Sequence, residues 1–199
     1  MAGKNKDIAI LVRHGESLAN FRKIVSEDID GFPLTELGAK QSVRAGRTLI
    51  PIAGRVDSFI SSPIIRAIQT GSGVMEGMGI RREIIQEPLL IETKFGKYNN
   101  SSMKDFPKFH KEEFGIEPFE ENGRRILEAI ERYRGINLYF SHALPIKALV
   151  CNMLHLEEED AGGIHIENAS ITIIDVSEKR ILSIGSHYLS SNLISFFDS

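Results

Sequence analysis

The chain has 199 residues, 42% apolar and 26% charged, which suits one globular domain with a full core and excludes a disordered chain. Its net charge of −3 gives no electrostatic basis for binding nucleic acid or a membrane surface. A single cysteine, Cys151, rules out an intramolecular disulfide. The polar start from Met1 to Asp7 lacks an apolar signal core, and no apolar run is long enough to span a bilayer, so a soluble cytoplasmic protein is expected.

Asp7 to Val12 is short and almost continuously apolar, the pattern of a strand buried on both faces of a parallel sheet. It stops at Arg13-His14-Gly15-Glu16, and a polar, loop-like stretch runs on to Pro33. Thr35 is placed to cap a helix with Ala39, Val43, Gly46 and Ile50 on one face. Val56 to Ser61 reads as a second strand, and Pro63 suits the first turn of the next helix. That helix carries Ile64, Ile68, Gly71, Met75 and Met78 at helical spacing and ends near Gly79; a short strand over Glu83 to Gln86 follows.

Periodicity fails from Thr93 to Pro118, so a lid or insertion is expected around 93–120. Ile126, Ile130 and Tyr133 mark another helix. Ile136 to Phe140 reads as a strand running into Ser141-His142, with a helix after it through Pro145, Ile146, Leu149, Val150 and Met153. Strands over Ile171 to Val176 and Ile181 to Ile184 close the chain. Without a linker or long repeat, residues 1–199 read as one α/β domain with a mainly parallel sheet and helices on both faces.

Two units share a strand–histidine–helix plan, at His14 and at His142. Open α/β sheets bind ligands at the carboxyl ends of their strands. If the two strands are neighbours, the imidazoles share one site. Arg13 beside His14 suits an anion, since a guanidinium forks two hydrogen bonds to phosphate oxygens and a neutral imidazole can attack phosphorus. Taken alone, Arg13 to Ser17 fits an ordinary capped turn equally well. Arg66 falls in the first turn of its helix, against the helix dipole, a conflict that a bound phosphate would remove; a solvated arginine would cost only a few tenths of a kcal/mol. Glu92 can protonate a leaving oxygen if it reaches the site. No closely spaced His, Cys, Asp and Glu set reads as a metal site.

Leu11-Val12-Arg13-His14-Gly15-Glu16-Ser17 resembles the signature of the histidine phosphatase superfamily, also called phosphoglycerate mutase-like. Pro33 to Gly38, Ser61 to Thr70, Glu92 with Phe95-Gly96, Ser141-His142, Asn168-Ala169-Ser170 and His187-Tyr188-Leu189 follow in that family's order. The resemblance implies a three-layer α/β/α sandwich. It implies His14 as the nucleophile, with Glu92 as proton donor and then base. Arg13, Arg66 and His142 would hold the phosphoryl oxygens, and Asn20 matches a further phosphate-pocket position. Three positions depart from the pattern: Ala143 and Lys147 stand where Gly and Arg are frequent, and Tyr98-Asn99-Asn100 replaces a Trp-Glu-Gly.

The function so implied is phosphoryl transfer through a phosphohistidine on a small phosphorylated metabolite, most simply as hydrolysis without metal or other cofactor. The alternative is a mutase using 2,3-bisphosphoglycerate. Against it, Thr93 follows Glu92 where the mutases carry Arg, and the stretch from Asn99 to Glu120 is short and has no arginine. For it, Lys94, Lys97, Lys104, Lys108 and Lys111 are available to bind a carboxylate or second phosphate, though Asp105, Glu112 and Glu113 lie among them. A non-catalytic phosphate-binding module would be expected to lack His14 or Glu92; both are present. Phe95, Tyr98, Phe106, Phe109 and Phe114 either line a pocket or pack as core. Substrate and oligomeric state are not legible.

Overall fold

The computed structural model describes residues 6–107 and 111–198. Its strands are β1 (Ile8–Arg13), β2 (Ser58–Ser61), β3 (Ile84–Gln86), β4 (Ile136–Ser141), β5 (Ile171–Asp175) and β6 (Arg180–Ser186), in one sheet of order β3-β2-β4-β1-β5-β6. The first four run parallel, while β5 and β6 add an antiparallel edge. The helices are α1 (Leu18–Arg22), α2 (Glu36–Leu49), α3 (Ile65–Met78), α4 (Phe119–Glu131), α5 (Ala143–Leu154) and α6 (Ser191–Asp198). None is long and apolar enough to cross a membrane.

Strand periodicity explains the layers. Ile8, Ile10 and Val12 enter a core shared with α2, α3 and α6, while Ala9 and Leu11 enter a second core with α4 and α5. Leu138 and Phe140 against Tyr139 repeat the division on β4, as do Phe59 and Ile60 on β2. Alternate residues of a strand face opposite ways, so a strand apolar throughout must be covered on both faces. The expected sandwich with helices on both sides is therefore present.

The contact face of α2 differs from the expected one. Ala39 is exposed and Ile50 is 53% exposed, whereas Gly38, Ser42, Ala45, Gly46 and Leu49 are buried. Backbone approach decides the rotation. A Cβ on Gly46 would lie 2.1 Å from the Val74 carbonyl oxygen, and one on Gly77 would lie 2.1 Å from that of Val43. Small residues, rather than the larger apolar ones, thus set the α2–α3 seam. Thr35 does cap α2, accepting from the Gly38 amide at 3.0 Å.

Pro63 lies outside α3, whose N-cap is Ile64. The loop-like reading up to Pro33 missed α1, which has five residues, one of them buried. Its signature is a cap rather than a period: Ser17 and Asn20 exchange hydrogen bonds across the first turn. The closing helix α6, with Phe197 buried, was also unanticipated.

Candidate active site

His14 leaves the carboxyl end of β1 and His142 that of β4. The strands pair in parallel with Arg13 opposite Ser141, so the next residue on each meets the other. The two imidazole centroids are 5.2 Å apart. Both rings are buried.

The surroundings of His14 fix its proton. Nδ1 lies 2.7 Å from the Gly15 carbonyl oxygen, which can only accept, so Nδ1 carries the hydrogen. Nε2 is left with its lone pair, toward which Arg66 directs its Nε–H at 3.2 Å. Burial first, then the charges of Arg66 and Arg13, hold the imidazole well below its usual pKa. The ring is neutral at pH 7 and presents a nucleophilic nitrogen.

Its backbone is pinned from several sides. The Gly15 amide donates to Thr70 Oγ1 at 3.0 Å, and the His14 carbonyl accepts from Asn168 Nδ2 at 3.1 Å. A Cβ on Gly15 would stand 2.4 Å from the Gly38 carbonyl oxygen, so only glycine lets this turn meet the start of α2. Asn20 does not touch the imidazoles through any hydrogen bond; its Oδ1 accepts from the Ser17 amide and from Asn168 Nδ2 at 3.2 Å, which links it to His14 at second hand.

Arg66 is 2% exposed in the first turn of α3. Its Nη2 donates to the Ser26 carbonyl at 2.8 Å and lies 3.8 Å from Glu92 Oε2. Arg13 donates from Nη1 to the Ile166 carbonyl at 2.7 Å. His142, the N-cap of α5, places Nε2 2.9 Å from Ser62 Oγ and Nδ1 3.7 Å from Glu92 Oε2. Three buried nitrogens here have no hydrogen-bond partner among the described residues: Arg13 Nε, Arg66 Nη1 and His142 Nδ1. Burying such groups unpaired costs free energy, and the oxygens of a phosphoryl group would satisfy them.

Glu92 is buried with Oε1 accepting the Thr93 amide at 3.0 Å. Burial raises its pKa, against the opposing pull of Arg66 and the Thr93 amide. A carboxyl so raised can carry a proton to a leaving oxygen. Its segment is held by Arg125, which donates to the carbonyls of Leu89 and Ile91 at 2.7 Å each and pairs with Glu117. Nothing in the sequence marked Arg125, one charge among many in α4, although its side chain is only 12% exposed.

The sequence-distant trio His14, Glu92 and His142 brings ligand-type atoms within 4.8 Å of one another, a cluster that no local spacing revealed. A divalent cation fits it poorly. Arg66 already faces the His14 lone pair and sits beside Glu92, and a second guanidinium, Arg13, bears on both.

The segment around Asn99 is stitched to the loop before α2. Asn99 and Asn100 donate to the two oxygens of Asp28 at 2.8 Å each, and Val25 pairs with Ser101 and Asn100 through the backbone. The Ser26 carbonyl that holds Arg66 lies inside this clamp. Thus Tyr98-Asn99-Asn100 supports the arginine indirectly. Lid aromatics mostly pack on one another: Phe95 and Tyr98 contact Phe106, and Tyr98 contacts Phe114. Phe109 and Lys108 lie outside the described residues, as does the side chain of Lys111. Lys97 covers the Phe114 ring at 3.8 Å, and neither it nor Lys94 nor Lys104 lines the cavity beside Arg13 and Ala143.

The family model for the histidine phosphatase superfamily (branch 1) matches residues 9–184. The chain belongs to this superfamily. Among similar proteins, the 2,3-bisphosphoglycerate-dependent phosphoglycerate mutase of Thermoplasma acidophilum is 36% identical, the match covering 89% of this chain and 92% of the relative. Phosphoserine phosphatase 1 of Hydrogenobacter thermophilus is 24% identical over 86% and 87% of the two chains. A solved phosphoglycerate mutase from Bacillus anthracis superposes with TM-score 0.71 at 20% identity, covering 98% of each chain. A phosphoserine phosphatase from Entamoeba histolytica, solved with 3-phosphoglyceric acid, gives 0.69 at 19%, covering 94% and 98%. These two structures share the fold with this histidine phosphatase. It is an enzyme of phosphoryl transfer, in a superfamily that holds both phosphatases and mutases.

Proposed function

We propose that this enzyme hydrolyses a small phosphomonoester through a phosphohistidine on His14, without a metal ion, in the cytoplasm, as one domain spanning residues 1–199. The observation that carries the reading is the lone pair of His14 Nε2 facing Arg66, in a site where one buried nitrogen each of Arg66, Arg13 and His142 lacks a partner among the described residues. Phosphoryl transfer needs positioning and charge neutralisation above all, and both are built in.

In the first step Nε2 attacks phosphorus and the ester P–O bond breaks. Glu92 gives its proton to the departing oxygen. In the second, water attacks the phosphohistidine, Glu92 recovers a proton from it, and phosphate leaves with Nε2 free again. Arg13, Arg66 and His142 hold the non-bridging oxygens throughout. Ser62 Oγ accepts the Ile64 amide and can donate its own hydrogen to His142 Nε2, the tautomer that leaves an Nδ1–H for a phosphoryl oxygen. Asn20 acts at one remove through Asn168.

A second reading, a mutase with 2,3-bisphosphoglycerate as cofactor, is favoured by the 36% identical relative. Hydrolysis is favoured by Thr93 after the acid and by the lack of arginine from Asn99 to Glu120. Two cavities border Arg13, one bringing Lys147 to it and the other Arg44. Thr93, after the acid, turns its hydroxyl to Asn122 at 2.8 Å.

The deciding experiment follows 3-phosphoglycerate with and without 2,3-bisphosphoglycerate, measuring free phosphate and 2-phosphoglycerate. Phosphate without isomer supports hydrolysis. Isomer that depends on the bisphosphate makes the enzyme a mutase. In either case His14→Ala should lose acid-labile phosphate on the protein and at least about a thousandfold in turnover; retained activity would remove His14 from the mechanism.

A further inference from the structure

Ala143 and Lys147, both departures from the family pattern, meet in one place. They are four residues apart on α5, hence on one face, and line a cavity of about 460 Å³ that also reaches Arg13. Lys147 follows Ala143 by one turn, and its Nζ lies 3.3 Å from the Ala161 carbonyl oxygen.

The walls are mostly apolar: Val25, Met103, Phe106, Leu144 and Ile166, with Ala143 directly after His142 in the chain. A volume of this size lies within the roughly 300–1,000 Å³ of small-molecule sites. A three-carbon phosphoacid would fill little of it and would leave these side chains facing water. Lys147 is the half-buried cation in this apolar setting. Among the described residues its Nζ makes one hydrogen bond, 3.3 Å to the Ala161 carbonyl, and no ion pair with a carboxylate. Burial and the nearby Arg13 both act against its charge. Glu167 also lines the cavity but directs Oε2 to His187 at 3.1 Å. His165 is exposed at the rim.

Building on the phosphohistidine reading, we propose that this cavity holds the body of the substrate, an apolar group of aromatic size bearing a carboxylate, and that Lys147 selects for the carboxylate. The ammonium supplies the charge-assisted hydrogen bond, and the apolar walls exclude the water that would compete for it.

The test compares phenyl phosphate, 4-carboxyphenyl phosphate and 3-phosphoglycerate on the wild type, Lys147→Met and Lys147→Arg. The kcat/KM ratio of the carboxylated to the plain aryl ester should fall about tenfold from wild type to Lys147→Met, carried by KM, and Lys147→Arg should keep most of it. Comparing ratios between variants cancels the difference in leaving-group acidity. An equal ratio in wild type and Lys147→Met overturns the role of Lys147. A preference for 3-phosphoglycerate over both aryl esters overturns the apolar body. Failure of every ester to label His14 would bring down the phosphohistidine reading as well, whereas labelling with an unmoved ratio brings down this inference alone.

Discussion

Arg66 donates its Nε–H to His14 Nε2 across 3.2 Å, so the imidazole lone pair and a buried guanidinium face each other directly. The contact adds to burial, the larger cause, in keeping the imidazole unprotonated. It also means that an arriving phosphoryl group meets the guanidinium and the nitrogen together, and only a small movement carries the arginine from one to the other.

Arg66→Lys tests that geometry. Lysine keeps the charge but lacks the planar fork that reaches the Ser26 carbonyl, His14 and a phosphoryl oxygen at once. We expect kcat to fall about 100- to 1,000-fold. Single-turnover formation of the phosphoenzyme is the measurement, and a loss of under about threefold would show that charge alone suffices.

Glu92→Gln separates proton donation from electrostatics. With an alkyl phosphate the leaving oxygen needs a proton, and turnover should drop about 100- to 10,000-fold. With p-nitrophenyl phosphate the leaving group departs unassisted, and the phosphorylation step should be nearly spared while dephosphorylation slows. A burst of nitrophenol followed by a slow steady state is the expected trace. Equal loss of phosphorylation with both esters would contradict the acid role.

Chelation tests the reading of the His14, Glu92 and His142 cluster as an anion site. Two guanidiniums bear on the same point, so EDTA should leave kcat/KM within about twofold of the untreated enzyme. A larger loss that zinc or magnesium restores would show that the trio ligates a metal despite Arg66.

The parts of this molecule written in local pattern were readable before the structure. The buried strands carrying His14 and His142 show as unbroken apolar runs, and their meeting follows once β1 and β4 are neighbours. What sequence could not show depends on approach in space. Gly46, a member of the expected face, and Gly77 set the α2 contact through backbone approaches that would lie 2.1 Å from a Cβ, and these leave Ala39 and Ile50 of that face exposed. Ser62 and Arg125 are common residue types whose partners, His142 and the Glu92 segment, lie 80 and about 35 positions away. The Ser26 carbonyl, which holds Arg66, belongs to the backbone and leaves no trace in residue identity.

The same burial that neutralises the histidines makes folding stability depend on pH. Burial, then Arg66, hold both His14 and His142 well below their ordinary value of 6.5. The unfolded chain therefore takes up protons near that pH that the folded chain refuses. Their contribution to stability is complete above pH 6.5 and is lost as pH falls below it, by about 1.4 kcal/mol per pH unit for each ring. Glu92 runs the other way. Its carboxyl is raised above the ordinary 4.5, so its contribution is present below that value and lost as pH rises through the raised one. Two rings outweigh one carboxyl, so urea denaturation should show net destabilisation between pH 6.5 and 5.5. His142→Asn should remove about 1 kcal/mol of that loss, and Glu92→Gln should not lessen it. If neither variant alters the slope, groups other than these three govern the acid response, and the buried neutral imidazoles do not describe the enzyme in solution.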